Sequence, residues 1–417
     1  MIMEKEVLLS VQNLQQYFKL GKRELKAVDN VSFDIYKGEV FGLVGESGCG
    51  KTTTGRSIIR LYDITGGSVY YKGERICAGV RTYKDAIKKA KAQFKAGQIS
   101  EEEYNKTVAE NRAEMQSAIH DHQKWSRVKG RRQLAGKTGV YKVAIKEAKA
   151  KFKAGEITEE ALNKIVEENR TQIKAITEEH RKSQGNQLTN EIQMIFQDPI
   201  ASLDPRMTVR DIIAEGLIIR GIKDKEYIDQ QVYKILETVG LVQEHATRYP
   251  HEFSGGQRQR IGIARAVVMN PELIIADEPI SALDVSIQAQ VINLLNDLSQ
   301  KMGLTIMFIA HDLAVVKYFS NRIAVMYFGK IVELATSDEL FAHPFHPYTR
   351  SLLSAIPLPD PITEKSRHRV TYNPMLDHNY ATEGPTMKEI YPGHFVLCNT
   401  EEYEKYLSEY ESNGKKI

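Results

Sequence analysis

The sequence predicts an α/β fold with a doubly wound, largely parallel sheet, and three patterns support this prediction. Between residues 191 and 335, short apolar segments typical of buried strands alternate with helical stretches. At 40–44, another apolar strand leads directly into a glycine-rich loop and a helix. Residues 7–12 and 31–36 alternate polar and apolar side chains, which indicates an additional antiparallel β element.

Length and composition are those of a globular protein with several domains. A hydrophobic content of 42% with 27% charged residues excludes a chain of 417 residues that is disordered throughout. No apolar run approaches the ~18 to 20 residues of a membrane-spanning helix, so we expect any membrane role to depend on a partner. Cys49, Cys77 and Cys398 are too few and too widely spaced for a disulfide framework, which indicates the reducing cytoplasm.

A duplicated segment interrupts the α/β pattern. Residues 83–124 and 141–182 repeat one another at an offset of 58, with 23 of 42 aligned positions identical. Each copy predicts a helix, a glycine turn and a second helix, whose N-cap is Ser100 in the first copy and Thr158 in the second. Two helical hairpins are therefore expected. Residues 83–184 carry 23 basic and 15 acidic side chains, so this segment supplies all of the net positive charge.

The link between the two copies, residues 125–133, contains four basic residues, no acidic residue and the only tryptophan. One interpretation is a patch for anionic lipid headgroups, nucleic acid or an acidic partner. The alternative is a solvated loop between charged helices. The sequence leaves both interpretations open.

A phosphate-binding motif follows the apolar strand at 40–44. Residues 45–52 read Gly-Glu-Ser-Gly-Cys-Gly-Lys-Thr, which matches GxxxxGK[ST] between a strand and a helix. Its glycines allow successive backbone N–H groups to surround phosphate oxygens, and the helix N-terminus adds its positive dipole. Lys51 is predicted to reach the β- and γ-phosphates, and Thr52 to bind Mg²⁺.

Two carboxylates follow another apolar strand, at residues 273–276. Asp277 and Glu278 would lie at the C-terminal end of this strand, where ligands bind in parallel α/β sheets. Taken alone, the pattern also fits a strand end that exposes its charges to solvent. Together with the phosphate-binding motif, it predicts that Asp277 holds Mg²⁺ and that Glu278 is the general base that polarises the attacking water.

A third motif, residues 254–257, reads Ser-Gly-Gly-Gln, begins a predicted helix and is followed by Arg-Gln-Arg. A glycine pair before a helix is ordinarily only a turn and a cap. Here the serine and the Gln-Arg run make the pattern more specific, and this helix start suits a second anion.

Together these motifs resemble the ATP-binding cassette (ABC) ATPases, whose characteristic elements occur here in the family's order. The elements are the phosphate loop, Gln197, the signature at 254–257, the pair Asp277 and Glu278, residues 281–284, and His311. The resemblance implies a P-loop NTPase core with a helical subdomain near 205–255. It also implies that ATP and Mg²⁺ bind between two cassettes that close face to face.

The resemblance also implies roles for individual residues. Glu278, His311 and Gln197 would be catalytic, with His311 contacting the γ-phosphate, and Mg²⁺ would be held by Thr52, Gln197 and Asp277. Phe18, or its neighbour Tyr17, matches the aromatic that stacks on adenine, although a lone Phe18 also suits the core. The other implied nucleotide contacts are Gly45, Ser47, Gly48, Cys49, Gly50, Lys51, Thr52 and Thr53 in this cassette, and Ser254, Gly256, Gln257 and Asp284 at the seam with a partner cassette.

Three strings, at 196–205, 281–286 and 346–350, resemble the oligopeptide/dipeptide importers within this family. This resemblance implies an ATPase subunit that powers peptide import from the cytoplasmic face of the cell membrane. The implied partners are a second, related ATPase subunit, two transmembrane permease subunits and an extracellular peptide-binding protein. No nucleic-acid partner is expected.

The predicted domains are a nucleotide-binding domain at 1–78 and 190–335, the duplicated insertion at 79–189 and a C-terminal extension at 336–417.

A rival hypothesis is a soluble ABC ATPase that acts on nucleic acid, in DNA maintenance or at the ribosome, because charged helices are also inserted in the DNA-repair group. Against it, the inserted helices are short, lack a CxxC pair and lie between peptide-importer strings. A scaffold that binds ATP without hydrolysis is disfavoured because every catalytic position is filled.

Overall fold

Two sheets contain the strands of this computed structural model, which describes residues 6–21, 23–124, 127–184, 188–356 and 369–413. The strands are β1 (Val7–Leu20), β2 (Arg23–Tyr36), β3 (Val40–Val44), β4 (Gly66–Tyr71), β5 (Glu74–Ala78), β6 (Ile192–Ile195), β7 (Leu273–Asp277), β8 (Thr305–Ala310), β9 (Arg322–Tyr327), β10 (Lys330–Thr336), β11 (Thr386–Tyr391) and β12 (His394–Cys398). The larger sheet has the order β11-β12-β10-β9-β3-β8-β7-β6, and the smaller sheet has the order β2-β1-β4-β5.

Helices connect and cover these strands. They are α1 (Lys51–Ile58), α2 (Arg81–Lys95), α3 (Glu101–Lys124), α4 (Arg127–Lys153), α5 (Glu159–Gln184), α6 (Leu188–Glu191), α7 (Pro199–Ser202), α8 (Val209–Ile219), α9 (Lys225–Thr238), α10 (Gly255–Val267), α11 (Val285–Met302), α12 (Leu313–Phe319), α13 (Ser337–Ala342), α14 (Pro347–Ser354), α15 (Pro374–Asp377) and α16 (Thr400–Asn413). Two 3₁₀ turns, Gln243–Thr247 and Pro250–Glu252, stand between α9 and α10. In the described part of the chain, none of the helices combines the length and apolar character needed to cross a membrane.

The middle of the larger sheet is parallel. β9, β3, β8, β7 and β6 run in one direction, whereas β10 and the hairpin of β11 and β12 are antiparallel to their neighbours. One face packs against the smaller sheet and α1, and the other face packs against α8 to α12. Successive residues of β3, β7 and β8 are therefore all buried, which explains their continuous apolar sequences. The α/β prediction with an antiparallel β element is confirmed.

The inserted segment forms two pairs of helices, α2 with α3 and α4 with α5. Gly97 and Gly155 have φ angles of 68° and 74° in the turn of each pair, the left-handed conformation that glycine adopts without strain. A reciprocal capping box begins α3, because Glu103 N donates to Ser100 Oγ and Ser100 N donates to Glu103 Oε2. Local sequence signals therefore fix both turns.

Arg75 of β5 fixes the first helix pair to the smaller sheet. Its Nε and Nη2 donate to Asp121 Oδ2 at 2.9 and 2.7 Å, and Nη2 also donates to Ser117 Oγ. Ala118, one residue further along α3, is completely buried. The contact thus combines two charge-assisted hydrogen bonds to one carboxylate oxygen with close helix-to-sheet packing.

The prediction of a link at 125–133 is wrong from Arg127 onward, because α4 begins there. The Arg, Lys and Gln residues of this segment are good helix formers, and no proline interrupts them. Trp125 and Ser126 lie outside the described residues. The loop interpretation is therefore wrong for residues 127–133, whereas the interpretation of their positive charge as a patch for an anionic partner stays a prediction.

Candidate nucleotide-binding site

The phosphate-binding motif connects β3 to α1. Gly45 and Gly50 have φ angles of 153° and 112°. A Cβ on Gly45 would lie 2.1 Å from Met326 O, and one on Gly50 would lie 2.2 Å from Ala27 O. Both positions therefore require glycine, since the surrounding backbone approaches too closely for any side chain.

Lys51, the first residue of α1, turns back over this loop. Its Nζ donates to Gly45 O at 2.8 Å and to Glu46 O at 2.9 Å, and it lies 3.7 Å from Glu278 Oε1. The side chain is only 3% exposed. An ammonium group that loses its water must find such partners, so the loop holds a fixed, buried positive charge.

Thr52 and Asp277 form the adjoining part of the site. Thr52 Oγ1 donates to Asp277 Oδ1 at 2.7 Å, and the Asp277 side chain is completely buried. Burial raises the pKa of the Asp277 carboxyl group, although Thr52 and Arg56 oppose this shift. Among the described residues, Asp277 Oδ2 has no hydrogen-bond partner, and Arg56 Nη2 lies 3.9 Å away. A buried carboxylate oxygen beside a threonine hydroxyl fits a hard divalent cation.

Glu278 brings Gln197 and His311 together. Its Oε2 accepts a hydrogen bond from Gln197 Nε2 at 3.0 Å and lies 3.4 Å from His311 Nδ1. The Glu278 backbone has a φ of 43°, which is unfavourable for a residue with a side chain, and its N–H donates to Ile309 O. Backbone strain of this kind persists where surrounding contacts impose it, commonly at functional sites.

The C-terminal edge of the parallel sheet explains this convergence. The phosphate loop follows β3, His311 follows β8, Asp277 ends β7, and Gln197 lies two residues after β6. Because these strands are parallel neighbours, their C-terminal ends meet at one edge. The predicted residues that the structure brings together here, directly or within the loop and the first turn of α1, are Gly45, Ser47, Gly48, Cys49, Gly50, Lys51, Thr52, Thr53, Gln197, Asp277, Glu278 and His311.

The signature residues have different surroundings. Ser254 Oγ accepts a hydrogen bond from Gln257 N, and Gln257 Oε1 accepts one from Ser254 N, so this pair caps α10. A Cβ on Gly256 would lie 2.5 Å from Ile287 Cγ2, and Asp284 is the exposed N-cap of α11. In the described part of the chain, their contacts are to α10 and α11 rather than to the phosphate loop. The Ser-x-x-Gln spacing was a usable signal for this cap, in addition to the nucleotide contact predicted for Gln257.

Tyr17 and Phe18 are the two candidates for the aromatic that stacks on adenine. The Tyr17 hydroxyl donates to Asp29 Oδ1. Arg81 Cζ and Lys26 Nζ lie 4.9 and 5.3 Å from the centre of the Tyr17 ring. Phe18 is partly buried and meets the ring of Tyr62 edge-on. Of the two rings, Phe18 is the one that no described cation covers, which favours it for stacking.

Sequence reasoning missed two residues that contact the site. Arg56 approaches Asp277 from α1, and its position four residues after Thr52 was a usable signal, since this spacing places both residues on one helix face. Tyr348 Oη accepts a hydrogen bond from Glu46 N in the phosphate loop at 3.0 Å. No local pattern predicts that contact, because 302 positions separate its residues.

A groove of about 300 Å³ lies between the parallel sheet and the helices α8 and α10. Phe196, Ile219 and Met269 contribute apolar surface, and Glu215 and Arg265 contribute charge. Phe196 immediately precedes Gln197, so the groove adjoins the group of residues around Glu278.

Family models match most of the chain. One described as "ABC transporter" matches residues 28–162 and 132–281, so its two segments meet within the inserted helices. Another, described as "Oligopeptide/dipeptide transporter, C-terminal region", matches residues 332–382. That second match begins in β10 and extends beyond α14.

Curated relatives are similar over nearly their whole length. The oligopeptide transport ATP-binding protein OppF of Bacillus subtilis is 46% identical over 96% of this chain and 99% of its own. The dipeptide transport ATP-binding protein DppF of Lactococcus lactis is 41% identical over 97% of each chain. Among solved structures, cbiO1 of Clostridium perfringens, part of the ABC transporter complex cbiONQ, supports the fold, with a TM-score of 0.50, 18% identity and coverage of 81% of this chain and 92% of its own. The resemblance predicted from the sequence is confirmed, and the chain belongs to the ABC transporter family.

Proposed function

We propose that this protein is the ATP-hydrolysing subunit of a peptide importer, held at the cytoplasmic face of the membrane by transmembrane partners. The observation that carries the proposal is the convergence of Lys51, Asp277 and Glu278 at the phosphate loop. The peptide substrate rests on the relatives, which are named for oligopeptide and dipeptide transport.

The site divides between phosphate binding and metal binding. Gly45, Gly48 and Gly50 would let the loop follow the phosphates, and Lys51 would supply the positive charge. Thr52, Asp277 and Gln197 would hold Mg²⁺. A bound Mg²⁺ neutralises charge on the phosphate oxygens during transfer to water.

Glu278 would act as the general base that orients and polarises the attacking water. Its carboxylate is held by Gln197 and lies close to His311, so its position is fixed before the reaction. A general base needs this placement first and a suitable pKa second. Gln197 would also transmit conformational changes at the nucleotide site to the neighbouring groove.

A second ATPase subunit would complete the site. Ser254 and Gly256 present a helix N-terminus to solvent, Gln257 secures it, and Asp284 is exposed beside it. These residues would meet the nucleotide of a related, non-identical partner cassette, and Phe18 would stack on the adenine of this chain's own ATP. Changing Ser254 to Arg should therefore block turnover at the partner's phosphate loop and leave nucleotide binding at Lys51 unchanged.

The groove beside Gln197 is our proposed contact for a transmembrane permease subunit. Its apolar side chains suit a short helix from such a partner, and Glu215 and Arg265 would orient that helix. With two cassettes, two permease subunits would be engaged. An extracellular peptide-binding protein would deliver substrate to the assembled complex.

Purification from detergent-solubilised membranes tests this function. We expect the permease subunits and a second ATPase to co-purify, and peptide with its binding protein to stimulate ATP turnover in the reconstituted complex. Peptide import that continues without this chain would overturn the proposal. Stimulation by DNA or ribosomes instead of peptide would favour the nucleic-acid alternative.

A further inference from the structure

The contact between Tyr348 and the phosphate loop joins the C-terminal region to the nucleotide site. Tyr348 lies in α14 and is 2% exposed. Its hydroxyl oxygen accepts from Glu46 N at 3.0 Å. Lys51 Nζ donates to the carbonyl oxygens of Gly45 and Glu46. Two side chains therefore hold this part of the loop: Lys51 binds its carbonyl groups, and Tyr348 binds one of its N–H groups.

An aromatic cluster fixes the Tyr348 ring. The ring of Tyr327 lies 4.4 Å from it and that of Tyr372 lies 5.5 Å from it, measured between centroids. Tyr327 directly follows Met326, whose carbonyl oxygen packs against Gly45. Burial also raises the pKa of the Tyr348 hydroxyl, so the group stays neutral at physiological pH. The phenol therefore has little freedom to leave the loop.

Buried polar contacts fix the start of α14 itself. Glu333 of β10 is completely buried, and its two carboxylate oxygens accept from Phe345 N and His346 N. Glu333 Oε1 also lies 2.8 Å from His394 Nε2 of β12. His346 Nδ1 then accepts from Tyr348 N at 3.1 Å, and burial lowers the pKa of His346 to about 3, which keeps this nitrogen unprotonated.

We propose that Tyr348 is a positioning residue for nucleotide binding, through which the C-terminal region holds the phosphate loop in its binding shape. A continuous series of contacts runs from β12 through Glu333 and the first turn of α14 to Glu46 N. The inference rests on the proposed role of the loop, and it gives the C-terminal region a task at the nucleotide site.

The change Tyr348→Phe tests this inference because it removes the acceptor and keeps the ring. We expect the affinity for ATP and ADP to fall by roughly 3- to 10-fold, the usual effect of one hydrogen bond to the backbone. Binding of AMP, which lacks the phosphates that the loop is proposed to hold, should change little. The rate at saturating ATP should also change little, so the effect should appear in KM rather than in kcat.

Tyr372→Phe is the matched control. It removes a hydroxyl from the same aromatic cluster, but that hydroxyl contacts His378 Nε2 rather than the loop. We expect Tyr372→Phe to bind ATP like the unmodified protein. Hydrogen exchange of the loop peptide should rise in Tyr348→Phe only, a measurement that needs no nucleotide.

Two results would overturn the inference. One is equal ATP affinity in Tyr348→Phe and the unmodified protein, and the other is an equal loss in both tyrosine variants, since general loosening of the cluster would then explain it. Failure of the proposed function would give a different result, because the unmodified protein itself would then not bind ATP.

Discussion

The nucleotide site and the inserted helices differ in how far apart in the sequence their contacting residues lie. In the site, Thr52 contacts Asp277 across 225 positions, and Glu46 contacts Tyr348 across 302. In the insertion, each helix pairs with the next one along the chain, and Ser100 is capped by a residue three positions away. The charged pairs that join the insertion to the smaller sheet span fewer positions, 46 between Arg75 and Asp121 and 57 between Arg81 and Glu24.

This difference explains how the two regions coexist. The site needs the whole parallel sheet, because its residues meet only when four strands align their C-terminal ends. A helix pair needs only its own turn and cap, so it can be duplicated without displacing that edge. The chain leaves the smaller sheet after β5 and returns to the larger sheet at β6, and both ends are anchored in strands.

The largest expected effect comes from Glu278→Gln. The amide keeps the shape of the side chain and cannot act as a base, so we expect ATP binding to persist and hydrolysis to fall at least ~10²-fold. ATP turnover in the assembled transporter and ATP binding to the isolated chain are the measurements. Glu110→Gln makes the same chemical change at an exposed position of α3 and should leave turnover unchanged. Turnover of Glu278→Gln at the unmodified rate would show that another group is the base.

A smaller effect concerns folding stability: the contributions of Asp277 and Asp121 should change with pH in opposite directions. Burial raises the pKa of Asp277 in the site, whereas the hydrogen bond from Arg75 lowers the pKa of Asp121 in the insertion. The Asp277 contribution to folding stability is therefore lost as pH rises through its folded pKa. The Asp121 contribution is present above the unfolded pKa and is lost as pH falls through the folded pKa.

Denaturant unfolding of Asp277→Asn and Asp121→Asn, without Mg²⁺ and from about pH 3 to pH 8, measures these signs. The unfolding free energy of the unmodified protein minus that of Asp277→Asn should decrease as pH rises. The corresponding difference for Asp121→Asn should increase. Two slopes of the same sign would contradict the opposite environments that the structure gives these residues.

Much of the fold and of the nucleotide site could be predicted from local patterns. The loop from Gly45 to Thr52 and the pair Asp277 and Glu278 are short motifs whose spacing carries the chemistry. The apolar strands identify the parallel sheet because burial on both faces leaves no polar alternation. Membership of the family followed from the order of these motifs along the chain.

What the sequence did not predict depends on tertiary structure. The positive φ of Glu278 is imposed by packing, including the bond from its N–H to Ile309 O. The hairpin of β11 and β12 extends the larger sheet through pairs such as Glu333 with Val396, which no periodicity identifies. Residues 127–133 lie between the two repeats and are for that reason predicted to be a link, yet their Arg, Lys and Gln side chains are good helix formers and α4 includes them.

The smallest expected effect tests the independence of the two regions directly. Replacing residues 83–184 with a short Gly/Ser linker removes both helix pairs and keeps β5, β6 and every residue of the nucleotide site. We expect the affinity for ATP to stay within about 2-fold of the unmodified value, because no side chain that contacts Lys51, Thr52 or Asp277 is lost. Isothermal titration with ATP and Mg²⁺ measures this.

We expect so small an effect because the insertion contacts the rest of the fold away from the phosphate loop. The described charged anchors of the insertion lie on the two edge strands of the smaller sheet, where Arg75 of β5 binds Asp121 of α3 and Glu24 of β2 binds Arg81 of α2. The phosphate loop instead follows β3 at the centre of the larger sheet. Asp121→Asn is a milder change than the deletion, since it weakens the contact with Arg75 and keeps the inserted helices. If the deletion weakens ATP binding by 10-fold or more and Asp121→Asn weakens it in the same direction, the inserted helices support the nucleotide site through Arg75, and the two regions are coupled.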